Sequence, residues 1–65
     1  MGRNDKHKFE VEFIRETDAA ILVLFDFDEI WLPKSQIEWP GGAEEGDEIE
    51  VHVPEWLAEE KEMEW

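Results

Sequence analysis

Two stretches of this chain alternate strictly between apolar and polar residues, and a period of two commits them to a sheet. Phe9, Val11 and Phe13 alternate with Glu10 and Glu12, while Ile49, Val51 and Val53 alternate with Glu48, Glu50 and His52. Successive side chains of a strand point to opposite faces, so each stretch predicts a half-buried strand with its carboxylates turned to water. Between them Ala19–Phe25 (AAILVLF) is apolar throughout, which predicts a strand buried on both faces.

The joints follow from turn chemistry. Thr17-Asp18 predicts a turn, and Asp26-Phe27-Asp28 a tight connection into a third strand, Glu29–Leu32. That connection lacks the Asn-Gly or Asp-Gly of the favoured two-residue hairpin. Pro33 ends the strand because it has no N–H for the ladder. Lys34-Ser35-Gln36 predicts a turn or a single helical turn before Ile37 and Trp39, and Pro40–Asp47 a loop. Pro54 suits the first position of a helix, with Glu55 complementing its dipole, and the helix is expected to run to about Glu64. Its apolar stripe is narrow: Trp56, Leu57 and Met63.

The expected fold is α+β: a small, bent antiparallel sheet of about four strands, rolled like an SH3-like or OB-like partial barrel, with one C-terminal helix. Residues 1–7 are expected to form a flexible N-terminal arm and 8–65 a single domain. A chain of 65 residues is near the lower limit for independent folding and buries only about 60 % of its unfolded surface. It has no cysteine, so neither disulfides nor thiolate metal sites assist it, which fits a reducing cytoplasm. Its longest apolar run, Ala19–Phe25, is far short of the roughly 18 residues of a membrane span. The start MGRNDKHKF lacks the apolar segment of a secretory signal. The expected location is the cytoplasm, that of the host cell if the chain is phage-encoded.

Charge decides which partners fit. Nineteen acids against six bases leave −13. Residues 1–15 carry four bases and three acids, a net of +1, and residues 16–65 two bases and 16 acids, a net of −14. Disordered acidic tails reach such densities but lack apolar residues; with 42 % hydrophobic residues and four Trp, this chain is expected to fold. Self-repulsion opposes compaction. Direct binding to nucleic acid or an anionic membrane is disfavoured, and the fitting partners are basic protein surfaces or metal ions.

Several residue groups are candidates for chemistry. Asp26, Asp28 and Glu29 offer oxygens to a hard cation, but the position that an EF-hand reserves for glycine, five after Asp26, is Trp31. A solvated hairpin tip is the favoured reading, since acids are natural at turns. Ser35, His7 and His52 include the only serine and the only imidazoles, yet no strained elbow motif frames the serine. No cofactor motif is found, and neither a catalytic group nor a metal site is assigned.

Glu10 and Glu12, like Glu48 and Glu50, stand about 6.8 Å apart along their strands, comparable to the phosphate repeat of a nucleic-acid strand. A net charge of −13 exceeds the magnitude of about 2–8 that serves solubility in a small domain. Of the four Trp, Trp56 and one of Trp31 and Trp39 are expected in the core. An exposed Trp39 or Trp65 would supply a contact anchor, where Trp is enriched.

The run EFIRETDAAILVLFDFDEIWLPKSQIEW, residues 12–39, resembles a pattern found in short phage and bacterial proteins. The pattern is Glu16-Thr17, Ala20, an aliphatic strand, an acidic hairpin and Trp31-Leu32-Pro33-Lys34-Ser35-Gln36-Ile37, here without the usual hairpin glycine. In size and charge the chain also resembles DNA-mimic anti-restriction and anti-CRISPR proteins, which occupy the DNA-binding surface of a nuclease complex. The resemblance implies a non-enzymatic inhibitor, a monomer or weak dimer, whose partner is the basic nucleic-acid-binding surface of a protein complex. The resemblance assigns no residues; charge, strand alternation and Trp enrichment at contacts make Glu10, Glu12, Asp26, Asp28, Glu29, Glu48, Glu50, Trp39 and Trp65 the residues expected to meet it. The alternative is an accessory interaction domain binding through Trp31, Trp39 and Lys34.

Overall fold

A computed structural model describes residues 5–63. Its elements are β1 (Lys6–Glu16), β2 (Ala20–Phe25), β3 (Asp28–Pro33), a 3-10 turn at Lys34–Gln36, β4 (Glu48–Pro54) and α1 (Glu55–Glu60). The four strands form one antiparallel sheet in the order β3-β2-β1-β4. This is the small antiparallel sheet with one C-terminal helix that the alternation predicted. Two ends differ from expectation. β1 starts at Lys6, so Lys6 and His7 pair with Pro54 and Val53 rather than belonging to an arm; the rest of the arm, residues 1–4, lies outside the described residues.

The sheet is strongly bent, and chain reach shows why. β3 forms one edge, yet Glu38, five residues beyond its end, bridges His52 along the open edge of β4, with N–H···O distances of 3.0 and 2.8 Å. In a flat sheet those positions would lie about 19 Å apart, four spacings of about 4.8 Å. Five fully extended residues reach about 17 Å, and three of these five are wound in the 3-10 turn. The edges must therefore curl toward each other. A bulge at Ile14 helps: Phe13 pairs with Val23 but Arg15 with Leu22, leaving Ile14 as the extra residue that sharpens the local twist.

The concave face holds the core. Phe9, Val11 and Phe13 of β1 meet Ile21 and Val23 of β2, Ile30 and Leu32 of β3, and Val51 and Val53 of β4, all buried. Phe25 packs edge-on against Phe9, with ring centroids 5.3 Å apart at 85°. Leu57 and Ala58 of α1 and Met63 beyond it complete the cluster. Leu22, on the other side of β2, is also buried, but its same-face neighbours Ala20 and Leu24 are half-buried, so the outer face of β2 is covered only in part where the unbroken apolar run predicted burial on both faces.

The helix is shorter than expected, and its ending explains the difference. The Glu62 N–H donates to the Glu59 carbonyl (3.1 Å) and the Met63 N–H to the Ala58 carbonyl (2.8 Å), with Glu62 at φ 59°. These are the paired 5→2 and 6→1 bonds of a Schellman cap, which normally places glycine where Glu62 stands. The cap turns the chain so that Met63 drops into the core instead of continuing the helix to Glu64. Pro54, expected as the first helical residue, is the extended N-cap that closes β4. Among the described residues no helix is long and apolar enough to cross a membrane.

Candidate functional site

Pairing of β1 with β4 turns two separate acidic stretches into one array. Glu10 lies directly opposite Glu50, and Glu12 directly opposite Glu48, and all four are exposed. Partners in an antiparallel pair have Cα atoms about 4.5–5.5 Å apart, and same-face neighbours along a strand are about 6.8 Å apart. The result is a two-by-two lattice of carboxylates on the convex face, with Phe9, Val11, Ile49 and Val51 buried behind it. Like charges directly opposite each other destabilise a ladder, so the fold carries this arrangement against its own stability.

One corner of the lattice is compensated. Glu50 receives Lys8 Nζ at 3.7 Å and His52 Nε2 at 3.3 Å. Among the described residues no cationic group lies within ion-pair distance of Glu10, Glu12 or Glu48. The other lysine contacts lie elsewhere: Lys6 reaches Glu38 at 3.6 Å and Lys34 bonds the Glu16 carboxylate. The uncompensated carboxylates are thus concentrated at the end of the sheet that carries the β2–β3 hairpin.

The hairpin acids are dispersed rather than convergent. Asp26 is in the turn, while Asp28 and Glu29 are consecutive in β3 and point to opposite faces. Glu29 sits on the convex face in the row Glu29–Leu24–Glu12–Glu48 set by the strand register. Among the described residues no three His, Asp or Glu side chains gather in a way that could hold a metal ion. Ser35 lies in the 3-10 turn, and its Oγ accepts a 3.5 Å bond from Gln36 Nε2. His7 faces Glu55 at 4.0 Å on the concave side of the sheet, whereas His52 is on the convex side with Glu50.

Trp56 and Trp39 pack against the core, as expected of Trp56 and one of Trp31 and Trp39, and Trp31 is left exposed. Trp39, a candidate both for the core and for an exposed anchor, is half-buried; its ring stacks on Phe13 at 6.0 Å and 5°, and Lys34 Nζ sits 5.8 Å from its centroid. The reason is not local: the curled sheet brings Glu38 beside His52, and that bridge lays Trp39 against the rolled edge. Lys34 is likewise occupied by Glu16 and Trp39 rather than displayed. Trp56 is half-buried against the core, and Trp65 lies outside the described residues. Among the described residues the exposed large apolar ones are Trp31, at 42 %, and Phe27, at 95 %.

Phe27 is the residue that sequence reasoning missed. Asp26 and Phe27 have φ of 52° and 67° between the paired ends Phe25 and Asp28, the signature of a two-residue type I′ hairpin. Glycine is favoured there because a bulky side chain at positive φ is strained. Period two held the signal: Phe25 continues the core-facing parity of β2, so Phe27 falls in the turn, with no neighbouring strand to cover it. Phe27 and Leu24 line an open groove of about 530 Å³ together with Glu10, Glu12, Asp26 and Glu48. Four expected partner-binding acids therefore surround an apolar floor and an unpacked aromatic ring. Glu29 flanks the same row, and Asp28 closes the hairpin.

Comparison with protein-family models, with curated proteins and with solved structures returned no match.

Proposed function

We propose that this chain is a non-enzymatic acidic binding protein that occupies a basic nucleic-acid-binding surface of a protein complex and competes with DNA for it. In source and role it would be a phage-encoded inhibitor of a host defence nuclease. The observation that carries this reading is the carboxylate lattice Glu10/Glu50 and Glu12/Glu48, held on paired strands before any partner arrives. A surface whose charges are fixed in advance loses little side-chain and loop entropy on binding. A lattice of this spacing offers Lys and Arg side chains of a DNA groove a substitute for phosphates. With −13 on a small body, encounter with such a groove is accelerated by long-range attraction.

The test is capture of the partner from a bacterial lysate, with elution by duplex DNA and by a salt gradient. The expected outcome is displacement by DNA and steep loss of binding between low and moderate salt. Binding indifferent to both would overturn the charge-led reading. It would leave the accessory-domain reading, for which the exposed Trp31 and Phe27 are the relevant observations.

A further inference from the structure

Phe27 projects from the tip of the β2–β3 hairpin, 95 % exposed, and the groove beside it pairs apolar Leu24 with the carboxylates of Glu10, Glu12, Asp26 and Glu48. The pairing end Phe25–Asp28 is locked into the ladder, and Phe25 is packed on Phe9. The tip is thus a short, rigid projection rather than a loose loop. The backbone that presents the ring is fixed by the ladder, and an aromatic side chain has only two χ angles to order on binding, which suits an anchor at the centre of an interface.

Charge selects the occupant. A second copy would bring another −13 against the acids around Phe27, and an anionic membrane or nucleic acid meets the same repulsion. A cationic protein surface meets attraction. We propose that the β2–β3 tip is the specificity anchor of the interface: Phe27 enters an apolar recess in a basic protein surface, and Glu10, Glu12, Asp26 and Glu48 pair with the Lys and Arg side chains rimming that recess. This rests on the charge-led reading above and adds what that reading lacks, a feature by which one basic groove is preferred over another. Uniform negative charge binds any cationic surface, whereas an aromatic ring entering a matching recess discriminates.

The test uses two synthetic peptides of equal positive charge, one combining Lys with Leu and the other Lys with Ser, titrated into the ¹⁵N-labelled full chain at low salt. The wild type is expected to bind the Lys–Leu peptide at least about tenfold more tightly than the Lys–Ser peptide, with the largest amide shifts at Leu24–Asp28. Phe27→Gly and Phe27→Asn, which both tolerate the left-handed backbone, are expected to abolish that preference while leaving the Lys–Ser affinity unchanged. Glu12→Gln with Glu48→Gln is expected to weaken both peptides alike. A preference for Lys–Leu that survives in both Phe27 variants overturns the anchor, though the charge reading stands. Affinities unmoved by the Gln pair overturn the charge reading instead. Failure of the wild type to bind either peptide overturns both.

Discussion

Two turns of this molecule meet the same backbone demand with opposite chemistry. In the 41–46 segment every residue with positive φ is a glycine: Gly41, Gly42 and Gly46, at 75°, 67° and 91°. At the β2–β3 tip the two positive-φ positions are Asp26 and Phe27. The loop therefore takes the unstrained solution and the tip a strained one. Strain at one position costs on the order of 1–3 kcal/mol and persists only where the surroundings over-determine it. Here the surroundings are the β2–β3 ladder from Ala20–Pro33 to Phe25–Asp28. Glu62, at φ 59° in the helix cap, shows that positive φ without glycine does not by itself mark a docking element. What separates Phe27 from Glu62 is a large apolar ring left in water.

The sharpest way to break the comparison is to give the loop the chemistry of the tip. Gly46 donates its N–H to the Phe13 carbonyl at 2.8 Å, and the Phe13 N–H returns to Asp47 at 2.7 Å, so its conformation is tied to β1. A Cβ at Gly46 would meet nothing within 4 Å, so a substitution there acts through backbone strain and not through a clash. Gly46→Val is expected to lower stability by about 2 kcal/mol, read as a fall in the urea midpoint at unchanged m-value. A neutral result would mean that the segment relaxes away from φ 91° at little cost, and the contrast with the tip would lose its meaning.

The converse exchange comes next. Phe27→Gly is expected to raise stability by about 1 kcal/mol, because a left-handed L-residue is relieved and the 95 % exposed ring contributes no burial. Denaturation of this variant would show a higher midpoint. A lower one would mean that the ring packs on Leu24 in solution and is not free to enter a partner.

Glu62→Gly is a smaller version of the same test, expected to gain about 0.5–1 kcal/mol. The benefit is smaller because positive φ strains an unbranched Glu less than a bulky aromatic residue, while the looser unfolded chain offsets part of the gain in both variants. It is measured by thermal melting at two salt concentrations. The share that comes from removing a negative charge should shrink at about 1 M salt, where the screening length is about 3 Å, while the share from the backbone should stay.

What could be read from the sequence and what could not divides along the same physical line. Face assignment is local: period two alone placed Glu10, Glu12, Glu48 and Glu50 outward and Phe9, Val11, Ile49 and Val51 inward. The Pro40–Asp47 loop announced itself through its glycines. Register is not local, so the direct opposition of Glu10 to Glu50 and Glu12 to Glu48 appeared only when β1 met β4, some forty residues on. The tip was obscured because its sequence breaks the rule by which such turns are found. The helix end was obscured for the same reason, with Glu62 standing where a stop glycine would have been visible. Trp31 faces outward by the same period two, between buried Ile30 and Leu32, whereas the fate of Trp39 depended on the sheet curling round to place Glu38 beside His52, which no pattern in residues 37–39 encodes.

The smallest expected effect on stability tests whether the lattice is more than a solvated surface. The 44–47 segment is less mobile than its composition suggests: the Glu44 N–H donates to Asp47 Oδ2 at 2.9 Å, and the Asp47 N–H to the Glu44 carbonyl at 2.9 Å. Ordering entropy alone therefore does not separate Glu44 and Glu45 from the strand acids, and the distinguishing feature is opposition across the ladder. Glu50 is a poor probe, since Lys8 and His52 already balance it. Glu12 and Glu48 face each other with no cation of the described residues between them. Replacing both by Gln should raise stability by about 0.2–1 kcal/mol, the size of a cross-strand pair term. Replacing Glu44 and Glu45 by Gln should raise it by less, because neither is a ladder partner. In binding the order reverses: the Glu12/Glu48 variant should lose more affinity for a cationic partner and more of its salt dependence. A stabilised Glu12/Glu48 variant that binds as tightly as the wild type would reduce the lattice to a device for solubility. If the Glu44/Glu45 pair proves the more costly to binding, the interface lies on the loop side of β4 and not around the hairpin tip.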